Sequence, residues 1–492
     1  MLEPKEKLTE QEIQYGLKQV IKNGIANQAM GTITGGVFLV AYALKLGASN
    51  FVIGLLAALP PLVQIIQIPA IYLIEKIRKR KLICVVACLI SRSCLLIIAT
   101  IPLLISGQGG LAFLFLGLLF YTAFAAVSGC SWNTWMRDLI PEHQLGSFFS
   151  KRMKISMIMG IALSLLAGVY LDVMPKFFPQ YEVYGYAILF AAGFLLGMIE
   201  TYFLSKIPEP KMPPTGERRD FIKILQAPFK DKNFRKLLGF LGSWNFAINL
   251  AVPFFTVYML KRLELSMSMV IGLNILTQIF NVLFFKVWGK FSDKFSNKSV
   301  LGVSGPLYLL CILAWTFTTM PEKYLLTIPL LILIFIFMGI STAGINLASG
   351  NIGLKLAPKG QATAYLAASN LVNAVAASIA PILGGKFADF FAERSLKWTL
   401  RWTSPGKELV FQTLDFRHWD FFFFLAFVIG LYSMHRLTLV KEVGEVEEDI
   451  VLDELLAEAT KPLSMFYKIT GFRKMVKTTI SLKNHLFDRE DQ

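Results

Sequence analysis

Charge is what this chain has least of. Only 17% of its 492 residues are Asp, Glu, Lys or Arg, against about a quarter in an ordinary soluble domain. Histidine is rarer still. His143, His418, His435 and His485 lie near segment ends or in loops and form no spacing with a nucleophile or base, which excludes the usual enzyme constellations. The five cysteines, Cys84, Cys88, Cys94, Cys130 and Cys311, have no zinc-like spacing with histidine partners. They read as small buried hydrophobes. No G-x-x-x-x-G-K-S/T run is present, so ATP has no phosphate cradle. Neither an enzyme, a cofactor nor a metal is expected. The N-terminus has no secretory apolar region, so the first apolar segment should persist as a helix.

What the chain does have is apolar length. Hydrophobic residues make up 55% and mean hydropathy is +0.56. Runs such as CLLIIATIPLLI at 94–105 and LLTIPLLILIFIFMGI at 325–340 belong to segments long enough to cross a bilayer, which takes roughly 20 residues. Hydropathy predicts twelve helices. The first six are 20–46, 51–75, 81–104, 110–137, 150–174 and 183–206. The second six are 236–260, 267–291, 298–320, 325–357, 361–391 and 419–438. The expected fold is thus an all-α membrane protein of two six-helix bundles, 20–206 and 236–438. An N-terminal segment 1–19, a linker 207–235 and a tail 439–492 flank and join them.

Basic residues set the orientation. Lys76, Arg78, Lys79, Arg80 and Lys81 follow span two, and Lys290, Lys294 and Lys298 follow span eight. Further Lys and Arg fill the loop after span four and the linker, while the alternate loops are poor in them. Positive loops stay in the cytoplasm, so both termini, the linker and the tail are expected there. This placement also accounts for the net charge of +16 without nucleic acid. Residues 392–418 break the pattern, with Arg394, Lys397, Arg401, Lys407 and Arg417 among Trp398, Trp402 and Trp419. They read either as an ordered cap with an aromatic belt or as a basic vestibule that attracts anions. Within the linker, 220–233 has the apolar spacing of a short surface helix, interrupted at Pro228. The tail is acidic over 441–459 and basic over 461–483, a solvated tail or a segment for the anionic leaflet.

The chain also repeats itself. Glu75 and Asp293 stand 218 residues apart, as do Asn27 and Asn245, Gly54 and Gly272, Asn133 and Asn351, and Arg137 and Lys355. A duplicated helix bundle suits a transporter, because two halves can rock about a site between them. The stretch GKFSDKFSNK at 289–298 resembles the cytoplasmic signature of the major facilitator superfamily, and IYLIEKIRKRK at 71–81 is its degenerate copy. The resemblance covers about residues 20–438 and implies a 6+6 transporter fold. It also implies a cytoplasmic gate of Glu75, Arg137, Asp293 and Lys355, where opposite charges meet near a low-dielectric boundary. At an offset of 217, Gly168 and Asp172 match Gly385 and Asp389. The glycines favour close helix approach, and the two aspartates are candidate outer-gate residues.

By the resemblance, spans one, four, seven and ten line the cavity. Asn27, Trp132, Asn133, Asn245, Asn249, Asn346 and Asn351 fall on them, and Gln64, Asn274 and Gln278 fall on spans two and eight. Amides in lipid need partners, so they should face inward. They suit hydroxyl- or amide-bearing ligands, and equally serve as glue between helices. Arg92 and Glu200 are charges inside spans, functional candidates by default, and they can pair. The function expected is secondary transport of a small solute across the cell membrane by a monomer, with H+ or Na+ open as coupling ion. A transporter-like sensor, or an exporter of amphipathic compounds or lipids, is the alternative.

Overall fold

The computed structural model describes residues 4–6, 8–104, 108–141, 145–212, 221–319, 326–358, 362–404 and 407–442. In chain order it contains α1 (Glu10–Thr34), α2 (Gly36–Lys45), α3 (Asn50–Leu62), α4 (Gln67–Ile77), α5 (Arg80–Leu104), α6 (Gln108–Leu139), α7 (Leu145–Phe177) and α8 (Glu182–Lys206). Then follow α9 (Phe221–Lys230), α10 (Lys232–Lys261), α11 (Met267–Lys294), α12 (Asn297–Trp315), α13 (Thr327–Leu356) and α14 (Ala362–Phe391). Strands β1 (Ser395–Ser404) and β2 (Lys407–Arg417) precede the final helix, α15 (Trp419–Thr438). The charge blocks of the tail beyond Glu442 lie outside the described residues.

Among the described residues, 11 helices are long and apolar enough to span a membrane. The expected first span, 20–46, is not one of them, because it is two helices. α1 starts early, at a capping box in which Thr9 and Glu12 satisfy each other's backbone amides. It stops at Gly35, and Gly36 takes φ +52°. Consecutive glycines admit this left-handed step, which a side chain would resist. Span two is also interrupted, by a single 3-10 turn, Val63–Ile66, between α3 and α4.

Packing follows the repeat. In the first half α5 lies on α6 and α8, and α1 on α8 and α7; in the second, α12 lies on α13 and α15, and α10 on α15 and α14. The halves meet chiefly through α14 against α3 and α11 against α7. α9 fills the expected place of the linker helix and packs on α14 and α10.

The basic loop 392–418 forms an element that hydropathy cannot show. β1 and β2 pair antiparallel, with a bulge at Trp398/Thr399. The strict alternation SLKWTLRWT over 395–403 has the period of a strand, not of a helix.

At the basic end each half is locked by a carboxylate that follows its last helix. Glu209 accepts the Arg80 amide at 2.6 Å, at the start of α5. Glu442 accepts the Asn297 and Lys298 amides, at 3.3 and 2.7 Å, at the start of α12, and pairs with Lys355 Nζ at 3.0 Å. Both sit two residues beyond a fully buried aliphatic, Ile207 or Val440. A carboxylate at a helix N-terminus meets unsatisfied N–H groups and the positive end of the dipole. Removing one buried partner strands the others, at about 3 kcal/mol or more. Glu442→Ala should therefore lower the melting temperature of the detergent-purified protein by several degrees, while Asp293→Asn, at an exposed position, leaves it nearly unchanged. Equal shifts would show that the lock contributes nothing.

Candidate functional site

The two candidate outer-gate aspartates occupy matching positions across the interface. Asp172, at the end of α7, accepts the Met267 and Ser268 amides of α11 at 2.8 and 2.9 Å, together with the Ser268 hydroxyl. Asp389, at the end of α14, accepts the Asn50 and Phe51 amides of α3 at 3.1 and 2.9 Å, and the Asn50 side chain at 2.8 Å. Each helix supplies its own cap for the next amide, from Ser266 to Met269 and from Ser49 to Val52. The first three N–H groups of each helix thus have acceptors, two of them borrowed from the opposite half. The glycines one turn before the aspartates permit this approach. A Cβ at Gly385 would collide with the Asn50 carbonyl, and one at Gly168 with Ile271.

At the basic end the expected gate is arranged differently. Glu75 and Arg137 are both exposed, and no ion pair joins them among the described residues. The cation used there is Arg80, whose buried guanidinium meets Asp138, the Thr134 carbonyl at 3.0 Å and the Pro210 carbonyl at 2.8 Å. Asp293 and Lys355 line one recess with Asn351, where Lys355 bonds Glu442. Every one of these ion pairs lies within a single half, whereas the caps formed by Asp172 and Asp389 join the two.

Between the ends, the second half contains a cavity of about 310 Å³. Its lining includes Asn245, Asn346, Asn370 and Asn373 from α10, α13 and α14, with Ser349, Ser369 and Tyr308. Asn245 Nδ2 donates to Asn373 Oδ1 at 2.9 Å, which ties two of these four amides to each other. Asn249 and Asn274 donate to carbonyls of their own helices. Gln64 takes a hydrogen bond from Gln67, and Gln64, Asn133 and Gln278 are exposed.

The first half carries charge in place of amides. Arg92 Nε and Nη2 reach the two oxygens of Glu200 at 2.8 and 3.2 Å. Arg92 also donates to Asn27 Oδ1 at 3.3 Å and lies 5.4 Å from the Tyr121 ring centroid. A bidentate pair of this kind is how a membrane interior tolerates two charges. Nearby, the Arg152 guanidinium lies 4.9 Å from the Trp132 ring centroid.

Residues 24–381 match the family model described as Major Facilitator Superfamily. The chain belongs to the Major Facilitator Superfamily. Its fold is similar to that of the nucleoside transporter NupG, with a TM-score of 0.66 at 13% identity, covering 87% of this chain and 99% of that one. A bacterial homolog of the human lysosomal transporter Spinster, in an inward-facing, unoccupied conformation, gives 0.56 at 15% identity, covering 78% and 84%. A bacterial homologue of the iron transporter ferroportin, also inward-facing, gives 0.58 at 12% identity, covering 89% and 100%. At these identities the likeness concerns fold. No curated protein matches the sequence.

Several residues of this superfamily member escaped the sequence reading. Glu209 and Glu442 carried a signal, an aliphatic residue two positions before a glutamate just past the last helix of each half. His418 carried none. It heads α15 at φ 50°, with Nε2 3.4 Å from Asn50 Nδ2. An amide nitrogen only donates, so this ring nitrogen accepts and the imidazole is neutral. Burial pushes the His418 pKa down to about 4; Asp389 opposes this, and Lys261 and Arg262 add to it. An unfolded histidine titrates near 6.5. Between these two values the unfolded chain takes up a proton that the folded chain refuses. This contribution is full above about pH 6.5, is lost as pH falls toward 4, and is flat below. Melting temperature measured from pH 7.5 to 4 should fall less in His418→Gln than in the parent, and parallel curves would exclude the effect.

Proposed function

We propose that the chain is a secondary transporter that moves a small polar solute by alternating access between its two halves. It acts as a monomer in the cell membrane, with the basic end in the cytoplasm, and it is not an enzyme. The observation that carries this reading is the unequal joining of the halves. They share helix caps at the end bearing Asp172 and Asp389, while the ion pairs of the basic end stay within each half, beside an amide-lined cavity. That is the arrangement of an inward-open state. The amides favour a solute with hydroxyl or amide groups. Glu200 is held at both oxygens by Arg92, which makes it a poor carrier for H+ or Na+, so a coupling ion is not assigned to it.

Alternating access requires both outer caps to break. Hydrogen bonds to charged groups contribute about 1.5–3 kcal/mol each, so neutralising both aspartates should shift the resting equilibrium toward the outward-open state. The test is labelling of a cysteine placed at Asn274 with a membrane-impermeant maleimide added outside. The native cysteines are buried, so background is low. Asp172→Asn with Asp389→Asn should raise the labelling rate several-fold, beyond either single change. An unchanged rate would make the caps static struts and leave a ligand sensor as the better account.

A further inference from the structure

Positions that line the amide cavity have counterparts in the first half, and some of these carry larger side chains. Gly350 of the cavity matches Trp132 at the 218 offset, and Ser369 and Asn373 match Arg152 and Ser156 at the 217 offset. Where the second half has a glycine and a serine and is hollow, the first half has an indole with a guanidinium against it. Phe149 edges the indole at 6.0 Å. Gly24 of α1 provides the notch for the arginine, since a Cβ there would collide with the Arg152 guanidinium. An arginine near a helix end ordinarily snorkels to water; this one turns inward.

Three polar atoms in this patch are buried without a hydrogen-bond partner: Arg152 Nε, Trp132 Nε1 and Ser156 Oγ. All three groups can donate. The charges are also out of balance. Arg92 engages both oxygens of Glu200, and among the described residues no acid pairs with Arg152. Lys151 and Lys154, exposed on the same helix, add positive charge. Around this patch two guanidinium groups, those of Arg92 and Arg152, thus share the field of one carboxylate, Glu200. An uncompensated cation inside a membrane protein is costly and marks a site.

We propose that Arg152, with Trp132 and Ser156, receives the anionic group of the solute, a carboxylate or phosphate monoester, while the hydrogen-bonding body of that solute occupies the amide cavity of the other half. This rests on the transport reading above and narrows it to a substrate class. One ligand then touches both halves, through charge on one side and amides on the other. A planar guanidinium suits such oxyanions because it donates two parallel hydrogen bonds.

The test uses the full chain in detergent and matched probes that differ in charge: uridine against uridine 5′-monophosphate, glucose against glucose 6-phosphate, and N-acetylalaninamide against N-acetylalanine. Melting temperature is followed against concentration. At least one anionic probe should raise it by about 3 °C or more at saturation, with its neutral partner far weaker. Arg152→Gln should weaken that binding on the order of 10- to 100-fold, and Arg152→Lys should weaken it less while preserving the preference. Glycerol 3-phosphate against short-chain phosphatidylglycerol separates a soluble anion from a lipid headgroup. Equal binding of neutral probes, unaffected by Arg152→Gln, would overturn the anion site and leave transport of a neutral solute standing. An anion preference that survives Arg152→Gln would overturn the assignment to this residue. Silence from every probe would count against both the anion site and the transport reading.

Discussion

The architecture depends on a helix N-terminus of one half being finished by a carboxylate of the other. Two such caps, related by the sequence repeat, hold α3 against α14 and α11 against α7. Each gives acceptors to the first amides of its helix, which have none within the helix itself. Their magnitude suits a switch. Each cap is three hydrogen bonds to a carboxylate, at about 1.5–3 kcal/mol apiece, so the two together suffice to offset the roughly 5.5 kcal/mol that moves a two-state equilibrium from one extreme to the other. A stronger joint, such as a large apolar interface, would fix the halves in place. A weaker one would leave both faces ajar.

The duplication is visible in the sequence because its members are chemically conspicuous. Aspartates preceded by glycine one turn back, at 168/172 and 385/389, stand out in an apolar chain, and their contacts fall at the matching ends of two helix pairs. Hydropathy finds most spans for the same reason: lipid enforces length and composition. It misjudges span one, since two adjacent glycines change backbone direction without changing hydropathy. It is blind to β1 and β2, whose alternation averages to an unremarkable value. The charges near the basic loops were the least legible. Many Lys and Arg lie within reach of few acids there, and which acid each meets depends on how the chain returns after span six and span twelve. Arg80 rather than Arg137, and Glu442 rather than Asp293, are products of that return path.

The two halves share a skeleton and differ in content. In the second, asparagines line a cavity, while the first carries a buried ion pair and an arginine stacked on an indole. Pseudo-symmetry of helices therefore does not carry over to the binding surface. The rocking mechanism proposed above needs only the former, which would leave the latter free to diverge toward the shape and charge of one solute.

The hairpin of β1 and β2 has a practical consequence. Ten residues of β1, at about 3.3 Å per residue, make a strand of roughly 33 Å, comparable to the hydrocarbon thickness itself. A small helical membrane protein buried in a detergent belt offers little low-resolution shape by which single particles can be oriented. Among the described residues the hairpin is the one sheet of the chain, so the end bearing Asp389 carries a feature by which a particle can be oriented.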